Sequence, residues 1–334
     1  MANSIVGVEI TEESVRAVEL SRGRRPVLVA AGEVPLPPGS AKDSEVLDPE
    51  AVELAVRQLW SQAGITAKRA VLGVANRRIL VREHSSPAMR ADLLRAALPY
   101  EVSELLPVPP EQAILDFYPV AESEGQVHGL LVAAVAETIE ALISTLEKAK
   151  IRTEAVDFVP FGLARVAGVV ANPGETVAVV SVGEHTTSVV VAVDGIPRFS
   201  RLIPVDLVIG LPPEARSQTL SENVAETLPA ARRAVDTAVV DTVDQAAQDL
   251  ITRLRNTLSF YSSRPGTNPV STIYLTGPGV MAPGLVSMAT MAMGAQVFTV
   301  DIGNVVAVGK DRPPSGAFAL SLVSTLGVVL GEEK

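Results

Sequence analysis

The sequence contains no cysteine, which removes disulfides, thiolate metal sites and thiol nucleophiles from consideration. Histidine is nearly as scarce: His84, His128 and His185 are scattered, and no two stand at metal-ligand spacing. Metal catalysis is therefore not expected. Aromatics amount to 4% of residues, so the interior has to be packed with Val, Ala, Leu and Ile. Concentrated positive charge is missing too. A formal net charge of −10 argues against a nucleic-acid surface, which needs clustered Lys and Arg, and against adsorption to anionic lipid. The opening MANSIVGVEITEE has no basic segment and meets an acid at Glu9, unlike a signal peptide. The longest uncharged apolar stretch, Ala317 to Leu330, falls short of the roughly 20 residues that span a bilayer. The expectation is a cytoplasmic protein whose membrane role, if any, comes through a partner.

What is present is length and apolar content. At 334 residues the chain exceeds what one hydrophobic core usually fills, so two domains are expected. Apolar residues at 47% and charged residues at 20% give a globular balance. Val-rich runs suit buried strands and Ala/Leu-rich runs suit helices, which together favour an α/β fold.

An internal echo organises the chain. Residues 5–23 read IVGVEITEESVRAVELSRG and residues 177–195 read VAVVSVGEHTTSVVVAVDG. Each gives an apolar strand, a short polar turn, a second apolar strand and a Gly turn. At a constant offset of 172, Val8 falls on Val180, Glu12 on Glu184, Ser14 on Thr186, Val18 on Val190 and Gly23 on Gly195. A third strand candidate follows each Gly, at 26–34 and 197–205. Two three-stranded meanders are predicted, each opening one half of the molecule.

Between them, DPEAVELAVRQLWSQAG (48–64) has an Asp-Pro start and a Gly stop around a helical apolar period. Residues 69–76 read as a buried strand, 78–84 as an exposed one, 89–106 as a helix, 112–120 and 128–136 as strands, 136–150 as an amphipathic helix and 151–160 as a strand. Residues 78–150 thus form a small inserted α/β module. Past the second meander, 211–243 is polar and Pro-punctuated, 244–266 is a strong helix, 271–285 is strand, Gly-rich turn and helix start, and 315–330 is an apolar closing helix.

The order of VGVEITEESVRAVEL, YEVSELLPVPPEQAILDFYPV, VVSVGEHTTSVVVAVDGIPRFSR, LSFYSSRPG, IYLTGPGVMAPGL and the closing helix resembles the PilM branch of the actin-like ATPases, which also holds the division protein FtsA. Glu101, Pro107, Pro109, Glu111, Ile114, Leu115, Asp116 and Phe117 carry the most diagnostic part. The resemblance implies an actin-like (ribonuclease H-like) two-domain fold. It divides into 1–77 with the first phosphate hairpin, an inserted subdomain 78–153, a second domain 154–314 with the second hairpin and the adenine-side loop, and a closing helix 315–334 packing back on the first domain.

It further implies a cleft for ATP and Mg²⁺, with a carboxylate beside each hairpin and small residues that let backbone N–H groups reach phosphate. Glu9, Thr11 and Ser14 occupy those positions in the first hairpin, with Glu9 the remaining metal ligand. Ser181, Gly183, His185, Thr186 and Thr187 occupy them in the second, Glu226 in an acidic helix, and Gly277, Pro278 and Gly279 in the adenine-side loop. The family's Asp-x-Gly is here Glu9-Ile10-Thr11, Glu12 and Glu13 stand at small polar positions, Ser181 replaces an Asp, and Pro229 stands where a lysine is expected. Hydrolysis is thus expected to be weak or absent. The implied partner is the N-terminal cytoplasmic tail of a PilN-like membrane protein, held in a groove walled by 78–84 and 89–106, together with other pilus platform proteins and further copies of the chain. The alternatives are an active ATPase or sugar-kinase-like enzyme, for which Asp116 and Asp194 are the candidate bases, and a filament-forming division protein.

Overall fold

The computed structural model describes residues 4–23, 25–207, 229–309 and 313–331. The chain opens with strands β1 (Ser4–Ile10), β2 (Ser14–Ser21) and β3 (Val27–Pro35), a meander in which Glu9 lies opposite Arg16 and Arg16 opposite Glu33. A small hairpin, β4 (Ala41–Lys42) and β5 (Glu45–Val46), precedes helix α1 (Pro49–Ala63). Asp48 caps α1 by accepting from the amides of Glu50 and Ala51, and Gly64 at φ 68° ends it, a left-handed turn that glycine adopts without cost. Strand β6 (Arg69–Val74) then pairs parallel with β1.

The insertion comprises β7 (Leu80–Pro87), α2 (Ala91–Glu101), β8 (Ala113–Ser123) and β9 (Gln126–Val135), its sheet ordered β7-β9-β8. Leu94 and Leu98 of α2 pack on Leu131. Helix α3 (Ala136–Lys148) and strand β10 (Arg152–Phe158) leave this module. α3 buries Ile139, Leu142 and Leu146 in the same core as Val52, Val56 and Leu59 of α1, and β10 pairs parallel with β6. The sequence drew the insertion as 78–153. The apolar stripe of α3 instead closes the first lobe, whose sheet runs on to Phe158.

Helix α4 (Val159–Val170) crosses to the second lobe, where β11 (Thr176–Val182), β12 (Thr186–Val193) and β13 (Ile196–Pro204) repeat the meander with Ser181 opposite Ser188. That pair is the Glu9–Arg16 pair displaced by the same 172 residues, so the echo in the sequence is an echo in strand register. α5 (Pro229–Ser262), β14 (Thr272–Thr276), α6 (Leu285–Ala292) and β15 (Gln296–Thr299) complete a sheet ordered β13-β12-β11-β14-β15. The expected short helices of 211–243 lie partly outside the described residues; from Pro229 the chain is already in α5. α7 (Ile302–Val305), β16 (Ala307–Val308) and α8 (Gly316–Gly327) follow, and β16 pairs with β3 of the first sheet rather than staying in the second domain.

Each sheet therefore carries its own outer helices, α1 and α3 on one lobe and α5 and α6 on the other. The inner faces share α4 and α8. Their common core joins Ile5, Val18 and Leu20 of the first sheet to Val177, Val179 and Val190 of the second through Leu163, Val166, Leu322 and Leu326. The closing helix thus packs between both lobes, not on the first alone. The two helices touch backbone to backbone: a Cβ on Gly162 would lie 2.7 Å from the carbonyl carbon of Gly327, and one on Gly327 2.6 Å from that of Gly162. Gly162→Ala should force the helices apart and cost about 1–3 kcal/mol, the usual range for overpacking. Urea unfolding of the variant against the parent measures this, and an unchanged midpoint would contradict the contact.

Candidate functional site

The inner face of the first sheet carries a row of charge in an otherwise apolar surface. Glu9, Arg16 and Glu33 sit side by side on β1, β2 and β3. Arg16 Nε donates to Glu33 Oε1 at 2.7 Å, and Ser14 Oγ donates to the same oxygen at 2.7 Å. Burial alone would raise the Glu33 carboxyl, but the Arg16 guanidinium outweighs it and holds Glu33 below the usual carboxylate range. Glu9, 5% exposed, is covered by the closing helix: Ser324 Oγ and Thr325 Oγ1 both donate to Glu9 Oε2 at 2.7 Å. Burial pushes the Glu9 carboxyl above its ordinary value despite those two hydroxyls and the nearby Arg16 charge. The residue read as a metal ligand is thus engaged by α8 from within the protein.

The first hairpin turn is closed on itself. The Thr11 hydroxyl accepts from the amides of Glu13 at 3.3 Å and Ser14 at 3.1 Å, and donates to the Ser14 carbonyl at 3.0 Å. Two amides that a phosphate would need are occupied by a side chain. Across the cleft, His185 Nδ1 lies 3.0 Å from Asp206 Oδ1 and its Nε2 lies 4.0 Å from Glu12. Burial lowers the His185 pKa, yet the hydrogen bond to Asp206 and the charges of Glu12 and Glu13 outweigh it, so the net shift is upward. Glu184 is raised by burial and further by the Glu13 charge. Ligand atoms of Glu13, Glu184 and His185 lie within 4.8 Å of one another, and these groups could hold a cation.

Thr187 does not join them. It is fully buried with its hydroxyl unpartnered, and it sits on the same strand face as Val189 and Val191, which build the outer core of the second lobe. Strand alternation sends Thr186 and Ser188 to the cleft and Thr187 away from it. In the Gly-rich loop, Gly277 at φ 85° donates its amide to the Leu320 carbonyl of α8 at 3.2 Å. A Cβ there would approach Val182 O to 2.4 Å, and one on Gly279 would approach Val182 Cγ1 to 2.4 Å. These glycines let the loop press on the second hairpin and the closing helix. Glu226 lies outside the described residues. Asp194, offered as a catalytic base, instead accepts the Gly174 amide at 2.7 Å, and Asp116 stands on β8 of the insertion.

Two cavities adjoin the hairpins. The one between the turns has a volume of about 70 Å³ and brings together Glu9, Thr11, Ser181, Gly183, His185 and Thr186. It has room for a few waters. The other, about 680 Å³, lies over the charged row and is lined by Glu13, Arg16, Glu33, Glu184, Pro278 and Phe318, among others. Sequence reasoning missed Arg16, Glu33 and the α8 hydroxyls. An arginine in the apolar run SVRAVEL was the available signal, since such a charge is buried only beside a partner.

Two facing sheets opened by matching meanders, with inner helices between them, define the actin-like two-domain fold. A solved type IV pilus biogenesis PilM–PilN complex matches with a TM-score of 0.79 at 24% identity, over 97% of this chain and 97% of that one. The ethanolamine utilization protein EutJ from Carboxydothermus hydrogenoformans matches at 0.54 and 15% identity, over 97% and 88%. The cytoplasmic domain of EpsL, an inner-membrane component of the Vibrio cholerae type II secretion system, matches at 0.50 and 10%, over 99% and 96%. The family described as type IV pilus assembly protein PilM matches residues 7–204, more than half of the chain, and the chain belongs to that family. Among the described residues, no helix is long and apolar enough to cross a membrane.

The upward shift of Glu9 has a sign. Its folded pKa lies above its unfolded one, so the folded state holds the proton more tightly, and stability is lost as pH rises through the folded pKa. Glu9→Gln keeps an acceptor for Ser324 and Thr325 without the charge. It should melt above the parent at pH 8, and the gap should close toward pH 4. A gap independent of pH would refute the buried-charge account.

Proposed function

We propose that this protein is a cytoplasmic scaffold of a type IV pilus machine that holds the N-terminal tail of a PilN-like membrane protein, with a cleft that no longer hydrolyses nucleotide. The supporting observation for the tail is an apolar stripe on the insertion. Leu94 and Leu98 bury one face of α2, while Leu93 and Tyr100, seven residues apart on the opposite face, are 54% and 85% exposed. Leu105, just past the helix, is 40% exposed. Large apolar side chains grouped at a surface mark a contact site. The C-terminal end of α2 reaches β7, an edge strand bonded only to β9, whose free edge can accept an extended peptide. Glu101, from the diagnostic motif, fixes the two together: its carboxylate meets His84 Nε2 and Ser86 Oγ, each at 3.2 Å.

The cleft reading rests on the donor set. Mg²⁺ would find Glu9 covered by α8 and Ser181 without a carboxylate. A triphosphate would meet Glu12, Glu13, Glu184 and Glu33, with Arg16 already paired to Glu33. Two like charges about 4 Å apart repel by up to roughly 4 kcal/mol near a protein surface, so those acids disfavour the phosphates. The 680 Å³ cavity favours a second reading in which a nucleotide binds without turnover, since its size is within the range of ligand sites.

A synthetic PilN-like tail should bind the intact chain by calorimetry. Tyr100→Ala combined with Leu93→Asp, both exposed and so harmless to folding, should weaken binding by about tenfold or more. Absence of binding at high micromolar peptide would end the scaffold reading, and undiminished binding by the variant would move the groove elsewhere. Mg²⁺–ATP should release no phosphate; steady turnover would overturn the cleft reading.

A further inference from the structure

A third cavity, about 540 Å³, lies between the insertion and the second lobe, at the end of β11 and β12 away from the hairpin turn. Its size suits a small-molecule ligand. Ser85, Val120 and His128 form one wall, and Arg198, Tyr261 and Asn268 the other. Both walls contain a β-bulge at the cavity. In the insertion, the pairing of β8 with β9 skips Val120 between Pro119 and Ala121. In the second lobe, the pairing of β12 with β13 skips Arg198 between Pro197 and Phe199. A bulge re-aims the side chain it frees and is common beside binding sites. The first lobe has its bulge at the matching place, between Glu19 and Leu20, where the skipped residue is Val29, 58% exposed. The duplicated irregularity thus carries valine in one copy and arginine in the other.

Charge at the cavity leaves Arg198 uncompensated. The second arginine in the lining, Arg264, is paired with Glu83 of the insertion, which ties the two bodies together. Among the described residues Arg198 has no ion pair and no hydrogen bond, although it is half-buried. Around it stand further polar groups. The His128 ring is held between Ser85 Oγ at 2.7 Å and Ser123 Oγ at 2.9 Å, and Asn268 offers an amide.

We propose that this cavity binds a small-molecule oxyanion, anchored by the Arg198 guanidinium and lined by Ser85, His128 and Asn268. Arginine suits such a group because its planar fork of donors matches carboxylate and phosphoryl oxygens. The site is separate from the hairpin cleft; it shares β7 with the proposed tail groove, through Glu83, His84 and Ser85, but its anion chemistry rests on Arg198 and not on the exposed side chains of α2.

The chain has three histidines, so ring signals in NMR separate the sites: His128 reports this cavity and His185 the cleft. Inorganic phosphate and succinate, titrated separately at millimolar concentrations into the full chain, distinguish a phosphoryl from a carboxylate ligand. At least one should shift the His128 ring signals saturably while His185 stays in place. Arg198→Met should weaken that response by about tenfold or more, and Arg198→Lys should retain part of it. The proposal falls if His128 does not respond to either anion, if only His185 responds, or if Arg198→Met titrates like the parent. A folded spectrum with unmoved His185 signals, from the hairpin cleft, in each variant confirms that the loss is local.

Discussion

The contact between Gly162 and Gly327 sets the geometry on which everything else rests. Two helices whose backbones touch need glycine at the crossing, because a single Cβ on either side would enter the other's main chain. That closeness lets α4 and α8 fit together between two sheets and serve as the inner layer of both lobes. Gly7 extends the same arrangement to β1, where a Cβ would stand 2.6 Å from the Thr325 carbonyl oxygen. The position of α8 is therefore fixed from two sides. Its hydroxyls at 324 and 325 arrive over Glu9 as a consequence of backbone packing.

This placement decides the character of the cleft. A buried carboxylate needs partners, and Glu9 obtains them from the closing helix. The first turn obtains its own from Thr11, and Glu33 from Arg16 and Ser14. Internal side chains satisfy the groups around which a nucleotide site would be built. On the opposite hairpin, Glu184 and His185 face Glu12 and Glu13, so the two turns meet with excess negative charge and one imidazole between them. Burial raises the Glu184 carboxyl and the Glu13 charge adds to it, while the hydrogen bond to Asp206 and the charges of Glu12 and Glu13 raise His185 against its burial.

Much of the fold could be read from residue spacing. The 172-residue offset marked both meanders down to strand register, because a period-two pattern fixes which side chains face inward and a one-residue slip would reverse them all. Asp48, Pro49 and Gly64 marked both ends of α1 because caps are local chemistry. What could not be read were decisions made by distant partners. Helix α3 has an amphipathic pattern that suits either the insertion or the first lobe, and only α1, far back in the chain, selects the second. Thr187 was assigned to the cleft by its place in a turn motif, whereas alternation between Thr186 and Ser188 turns it into the core. The pairing of Glu9 with Ser324 and Thr325 spans more than 300 residues, and no local pattern signals it.

The duplication also explains where new chemistry is placed. Two copies of one meander carry the same bulge between their second and third strands, but they meet different neighbours. The first copy's bulge lies beside the short strand β16 and leaves Val29 exposed. The second copy's bulge looks toward the insertion, a module that only the first half carries. The cavity there is bounded by the insertion and the second lobe and stands apart from the hairpin turns. The hairpin end of the second sheet can therefore remain acidic and closed while its far end presents an arginine. Ligand occupancy there would bear on Arg264 and Glu83, the ion pair that docks the insertion, and through β7 and Glu101 on the orientation of α2. The fold thus joins the insertion to the second lobe through the Arg264–Glu83 pair, at the end of the second sheet opposite the hairpin turns.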